Sequence, residues 1–233
     1  MKLKMLMAGL LMACSVAAAD SAARPEDFAC PVGVRNRGHE NIEWQIAYGF
    51  HLTDAKRNLP RALLVGDSIC NQHQGGTIKK LDGKINISYW ISSYCVSSPK
   101  YLKRLALQLD EVEKWDFVYF NNGLHSLDTD PAVYEKHYDA TLAFLKARLP
   151  KTKIIVVTST MVADAKRCEK VKKLNEIVKR LAAKHGLQVD DLGALTDAMP
   201  RANLWRDGVH FGGAAVNAIS DHASKTLVDA LQK

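Results

Sequence analysis

The stretch Leu63-Leu64-Val65-Gly66-Asp67-Ser68-Ile69-Cys70 decides how this chain is read. Three aliphatic residues stopped by a glycine describe a buried strand that ends in a sharp turn, with the serine at the start of whatever follows. A serine in that place has two uses. Its hydroxyl can cap a helix, or it can act as a nucleophile if a neighbouring imidazole takes its proton.

The pattern on either side favours a layered α/β domain. Short apolar runs recur at residues 62–65, 85–90, 117–120, 154–157 and 187–189. Between them, apolar residues fall at helical spacing: Leu102, Leu105, Leu109 and Val112, then Tyr134, Tyr138, Leu142, Leu145 and Leu149, then Val171, Leu174, Ile177, Val178 and Leu181, and last Val216, Ile219, Ala223 and Leu227. Strands alternating with amphipathic helices imply right-handed crossovers and a parallel sheet covered on both faces. The expectation is a three-layer α/β/α domain over residues 61–233 with a sheet of about five strands. Residues 20–60 read as an N-terminal extension with a helix near residues 44–50, and His73 as a surface residue of the first helix of the domain.

In such sheets, sites form at the carboxyl ends of the strands. Ser68 follows the first strand, and Asn121 and Asn122 follow the third. In Leu204-Trp205-Arg206-Asp207-Gly208-Val209-His210, a glycine-bearing loop sets a carboxylate three residues before an imidazole, ahead of the final helix. An imidazole that accepts a serine proton needs its tautomer fixed by an acceptor on its far nitrogen, and Asp207 is within reach of His210 for that task. A tetrahedral oxyanion needs donors as well. The Ser68 N–H at a helix start is one, and the Asn122 or Asn121 amide is a second.

Gly66-Asp67-Ser68 after a strand, an asparagine loop after the third strand and Asp-x-x-His before the last helix together resemble the SGNH, or GDSL, hydrolases. The likeness runs from about residue 61 to the C-terminus. It implies a flavodoxin-like fold and ester hydrolysis through an acyl-serine, with Ser68 as nucleophile, His210 as base, Asp207 as its partner, and neither metal nor cofactor. Phe120-Asn121-Asn122-Gly123-Leu124-His125 also resembles the third block of an extracellular bacterial subgroup of carbohydrate esterases. The family's second block supplies a glycine N–H to the oxyanion, but no glycine lies between Lys84 and Asn122. The expected substitute is Ser93, or Ser92 beside it. His125 either lines the pocket or closes a loop hydrogen bond, and Trp205 either stacks on a sugar or packs. The expected substrate is a small-molecule or polysaccharide ester, with O-acyl transfer, or carbohydrate binding without turnover, as the competing functions of the same fold. A bridge between Cys70 and Cys95, at neighbouring strand ends, is also expected, with Cys30 and Cys168 left over.

The chain has 233 residues, 24% charged and 47% hydrophobic, which is ordinary for a globular protein. Its first residues, with Lys2 and Lys4, an apolar stretch and an alanine-rich exit, have the plan of a secretory signal cleaved after Ala19. That stretch is too short for a membrane span. Leu11-Met12-Ala13-Cys14 carries a competing lipoprotein reading, in which Cys14 bears a lipid anchor. Either reading takes the protein out of the cytoplasm, to the periplasm or medium or, lipidated, to the outer membrane. Loss of residues 1–19 lowers the formal charge from +7 to +5. The remaining basic residues are scattered, and no nucleic-acid module is visible. Four cysteines then remain, Cys30, Cys70, Cys95 and Cys168, consistent either with disulfides or with buried thiols. None has metal-ligand spacing.

Overall fold

The computed structural model describes residues 23–30, 43–49 and 58–232. The expected signal peptide and Cys14 lie outside them. In chain order the elements are α1 (Pro25–Phe28), β1 (Gln45–Tyr48), β2 (Arg61–Gly66), α2 (Ser68–Leu81), β3 (Asn86–Ser92), α3 (Tyr101–Leu109), β4 (Phe117–Phe120), α4 (Pro131–Arg148), β5 (Lys153–Val157), α5 (Ala165–His185), β6 (Gln188–Asp190), α6 (Leu192–Asp197) and α7 (Gly213–Leu231). Aspartates start four of the helices: Asp67, Asp130, Asp164 and Asp191 each accept a backbone N–H of the first turn. These are among the donors a helix start leaves without a partner. At the other end of α5, Gly186 adopts the left-handed conformation that closes a helix C-terminus.

The strand order is β1-β3-β2-β4-β5-β6, parallel except for β1. The parallel part has the flavodoxin-like order expected, with helices on both faces. Two expectations change at the edge. The sheet has six strands, and the segment read as a helix is the antiparallel edge strand β1, with Gln45 opposite Ser92 and Tyr48 opposite Tyr89. All four β1 residues are exposed. No local pattern marked it as a strand, because an edge strand facing solvent has no alternation to reveal it.

In the parallel registers Leu64 aligns with Tyr119 and Val65 with Phe120, so successive residues serve opposite faces. Phe120 meets Tyr138 of α4, and Trp90 meets Tyr101 of α3. The other face carries α2 and α7, tied where Ser220 donates to the His73 carbonyl. Tyr119 reaches through that layer to donate to buried Asp190 at 2.7 Å, and the other carboxylate oxygen lies 2.6 Å from His222 on α7. His73 is 2% exposed, a correction to its surface assignment: it lies on the turn of α2 that packs against α7. No helix among the described residues is long and apolar enough to cross a membrane.

Candidate active site

Gly66 ends β2 because nothing larger fits. A Cβ there would lie 2.5 Å from the Cys70 Cβ, so only glycine lets α2 turn back this close to its strand. Asp67 follows in an extended conformation and accepts the Ile69 N–H at 2.9 Å. The N-terminal cap is therefore the aspartate, which leaves the Ser68 hydroxyl free for another role. Ser68 is the first residue of α2, and its N–H is one of those with no partner inside the helix.

Across the carboxyl edge, residues 204–212 form a short hairpin. Arg206 N–H donates to the His210 carbonyl at 2.7 Å, Gly212 N–H to the Leu204 carbonyl at 2.9 Å, and Trp205 pairs with Phe211. Its tip turns at Gly208, whose φ of +86° is the left-handed region that favours glycine. The Gly208 carbonyl accepts from Ala163 N–H in the loop after β5. Within the tip, one Asp207 oxygen accepts the N–H groups of Val209 and His210 at 3.0 and 2.8 Å. The other oxygen lies 2.8 Å from His210 Nδ1. The His210 N–H, the His210 ring and the Val209 N–H hold the Asp207 carboxyl far below the usual carboxylate range. An ionised carboxylate only accepts, so Nδ1 carries the ring hydrogen and Nε2 presents its lone pair. Ser68 Oγ lies 2.9 Å from that Nε2. The three residues picked from the sequence thus form one continuous chain of hydrogen bonds.

The other expected site residues divide. Asn122 is buried: its amide donates to the Tyr94 carbonyl at 2.8 Å, and its oxygen accepts from Val96 N–H and Ser126. It joins the loops after β3 and β4 across the end of β2. Both amide hydrogens of Asn121 are directed to the β5 side, to the Val157 carbonyl and the Ser159 hydroxyl. Ser93 is a correction. Its N–H donates to the Trp44 carbonyl at 3.0 Å and its hydroxyl accepts the Trp44 N–H at 2.9 Å. That backbone N–H continues the β1–β3 ladder and cannot serve an oxyanion. Trp205 packs: Arg201 lies 5.2 Å from its ring centroid, Phe211 lies 6.1 Å away, and its indole N–H donates to the Met161 carbonyl. His125 stands edge-on to Trp44 with ring centroids 6.2 Å apart.

Cys30, Cys70, Cys95 and Cys168 are free thiols, which corrects the expected Cys70–Cys95 bridge. Neighbouring strand ends do not put two side chains on one face. Cys70 packs under α2 near Tyr119, whereas Cys95 lies near Tyr101 and Tyr134 of α3 and α4.

Two residues at this edge were missed in the sequence. Trp44 reaches it only because β1 runs antiparallel, which no local pattern announced. Gln72 looks like any polar residue on a helix surface, yet its amide holds both backbone groups of Phe211. Its place one turn beyond Ser68 was the available clue.

A sequence model of the GDSL-like lipase/acylhydrolase family matches residues 64–216, a span that includes Ser68, Asn122, Asp207 and His210. No curated protein matches the chain significantly. Solved structures with a similar fold include the acetyl xylan esterase AlAXEase, at 17% identity and a TM-score of 0.61 over 71% of this chain and 98% of that one. Another is a lipase/acylhydrolase from Enterococcus faecalis, at 16% identity and a TM-score of 0.59 over 72% and 95% of the two chains. The acetylxylan esterase Axe2 from Geobacillus stearothermophilus, at 16% identity, gives 0.58 over 73% and 93%.

Proposed function

The chain belongs to the GDSL-like lipase/acylhydrolase family, and from that premise we propose that it is an exported serine esterase that removes acyl groups, foremost O-acetyl, from a carbohydrate. The observation that carries this reading is the Ser68–His210–Asp207 chain, with contacts of 2.9 and 2.8 Å. The acetyl xylan esterases among the similar folds support the carbohydrate part, and the leader-like N-terminus supports export.

Ser68 Oγ attacks the ester carbonyl carbon as its proton passes to His210 Nε2, and Asp207 stabilises the imidazolium that forms. The oxyanion is received by the Ser68 N–H at the start of α2, and the Asn122 amide, which also meets the Tyr101 hydroxyl, is the proposed second donor. Collapse expels the alcohol, which takes the proton from His210 and leaves an acyl-serine. Water then attacks the acyl carbon, returns a proton through His210 and releases the acid. The His210 and Asp207 side chains are 30% and 52% exposed. That access lets water reach the acyl-serine, as the proposed hydrolysis requires.

Initial rates on p-nitrophenyl acetate, butyrate and octanoate, followed by acid release from acetylated polysaccharides, test the assignment. Acetate is expected to be the fastest ester, with acetate released from a polysaccharide. Activity confined to octanoate, with none on any acetylated polysaccharide, overturns the substrate class.

A further inference from the structure

Gln72 lies four residues after Ser68, so the two side chains share a face of α2, one turn apart. The structure gives that amide a specific use. In the 204–212 hairpin, Trp205 and Phe211 face each other between the Arg206–His210 and Gly212–Leu204 hydrogen bonds. In such a pair the residues' own N–H and C=O point outward, away from the partner strand. Phe211 therefore presents one donor and one acceptor toward α2. Gln72 Oε1 accepts the Phe211 N–H at 3.0 Å, and Gln72 Nε2 donates to the Phe211 carbonyl at 3.2 Å. The side-chain amide takes the place of a third strand and pairs with Phe211 as a peptide group would.

We infer that Gln72 is a positioning residue for the esterase reaction: it fixes the base-bearing hairpin in register with the nucleophile-bearing helix. Phe211 is the residue next to His210, so a slip of its backbone moves the imidazole directly. Both ends of the clamp are held elsewhere. Phe211 is 1% exposed and packs on Trp205, and α2 is tied to α7 by the Ser220–His73 bond. Across the gap between helix and hairpin, the Ser68–His210 contact and this two-point amide clamp act side by side. The first must break and re-form during every turnover, as the proton moves and the serine is acylated. The second stays intact throughout and keeps the two parts from separating. This rests on the proposed roles of Ser68 and His210.

The test uses the full chain with p-nitrophenyl acetate. Gln72→Leu keeps the volume and the helix but loses both bonds. Gln72→Asn, one methylene shorter, cannot reach both groups and is the milder variant. Both are expected to lower kcat about tenfold or more, with KM within about twofold, because displacement of a reacting group is costly while substrate contacts remain. Thr152→Ala, which removes the hydroxyl bond to the Trp115 carbonyl at the opposite end of the sheet, is the stability control. It is expected to lower Tm comparably and leave kcat within about twofold. In a His210→Ala background, Gln72→Leu should cost nothing further, because a residue acting through the imidazole has nothing left to position. Wild-type kcat in Q72L and Q72N overturns the inference, as does an equal loss with and without His210. A fully active H210A overturns the proposed triad and this inference with it, whereas an inactive H210A beside a fully active Q72L overturns the inference alone.

Discussion

In the proposed mechanism three side chains carry the chemistry, and two of them give a direct test. Ser68→Ala should lower esterase turnover by at least about a thousandfold with the fold intact, and His210→Ala should match it, because such residues act as one unit. A folded S68A enzyme with near-normal rates contradicts the mechanism. Asn122→Ala should raise the barrier by about 3 kcal/mol if its amide meets the oxyanion. Asn121→Ala is the discriminating partner: both of its hydrogens are already placed on the β5 side, so its loss should appear in stability first. A larger kcat loss in N121A than in N122A reverses the assignment. At this scale Ser68, Asp207 and His210 were readable because each sits in a local motif with few alternative uses. Ser93 was misplaced because its partner, Trp44, is set by the β1–β3 pairing rather than by neighbouring sequence.

Among the elements, α2 does the most. It presents Ser68 at its first residue, Gln72 one turn on, and His73 inward against α7. Thr77 donates its hydroxyl proton to the His73 carbonyl, so it accepts from the ring at Nδ1, 3.2 Å away. Burial pushes the His73 imidazole down to about 4. The folded state therefore refuses a proton that the unfolded chain takes up below about pH 6.5. The sign follows: with the folded value depressed, stability is lost as pH falls from about 6.5 to about 4, by up to about 3 kcal/mol. Chemical denaturation at pH 7.5 and pH 4.5 should show that loss in the wild type and a smaller one in His73→Gln. Equal pH slopes in the two proteins would remove His73 as the cause. The helical spacing of α3, α4, α5 and α7 was plain in the sequence because each buries one apolar stripe. α2 has no such stripe, since its inward residues include His73 and Thr77 as well as Ile69 and Leu81. The strand β1 escaped for the converse reason, being exposed along its whole length.

For the molecule as a whole, the sheet separates Cys70 from Cys95, and burial raises both thiols above their ordinary range. Native protein should leave Cys70 unreactive toward iodoacetamide, while unfolding without reductant should expose Cys30, Cys70, Cys95 and Cys168 alike to alkylation. Recovery of a linked Cys70–Cys95 peptide would contradict the free thiols. The same geometry marks what local sequence could and could not say. Residues 61–233 determined a parallel α/β/α domain by their alternation of apolar runs and amphipathic stripes, and the turn and loop motifs singled out Ser68, Asp207 and His210. Those features are written in contiguous residues, where period and turn chemistry act directly. Which face each cysteine takes, which N–H groups are already spent, that β1 closes the edge, and that Gln72 clamps the base hairpin were decided by the tertiary structure alone. Each of these depends on groups far apart in the chain competing for the same hydrogen bonds and the same space, and that competition is resolved only when the layers pack.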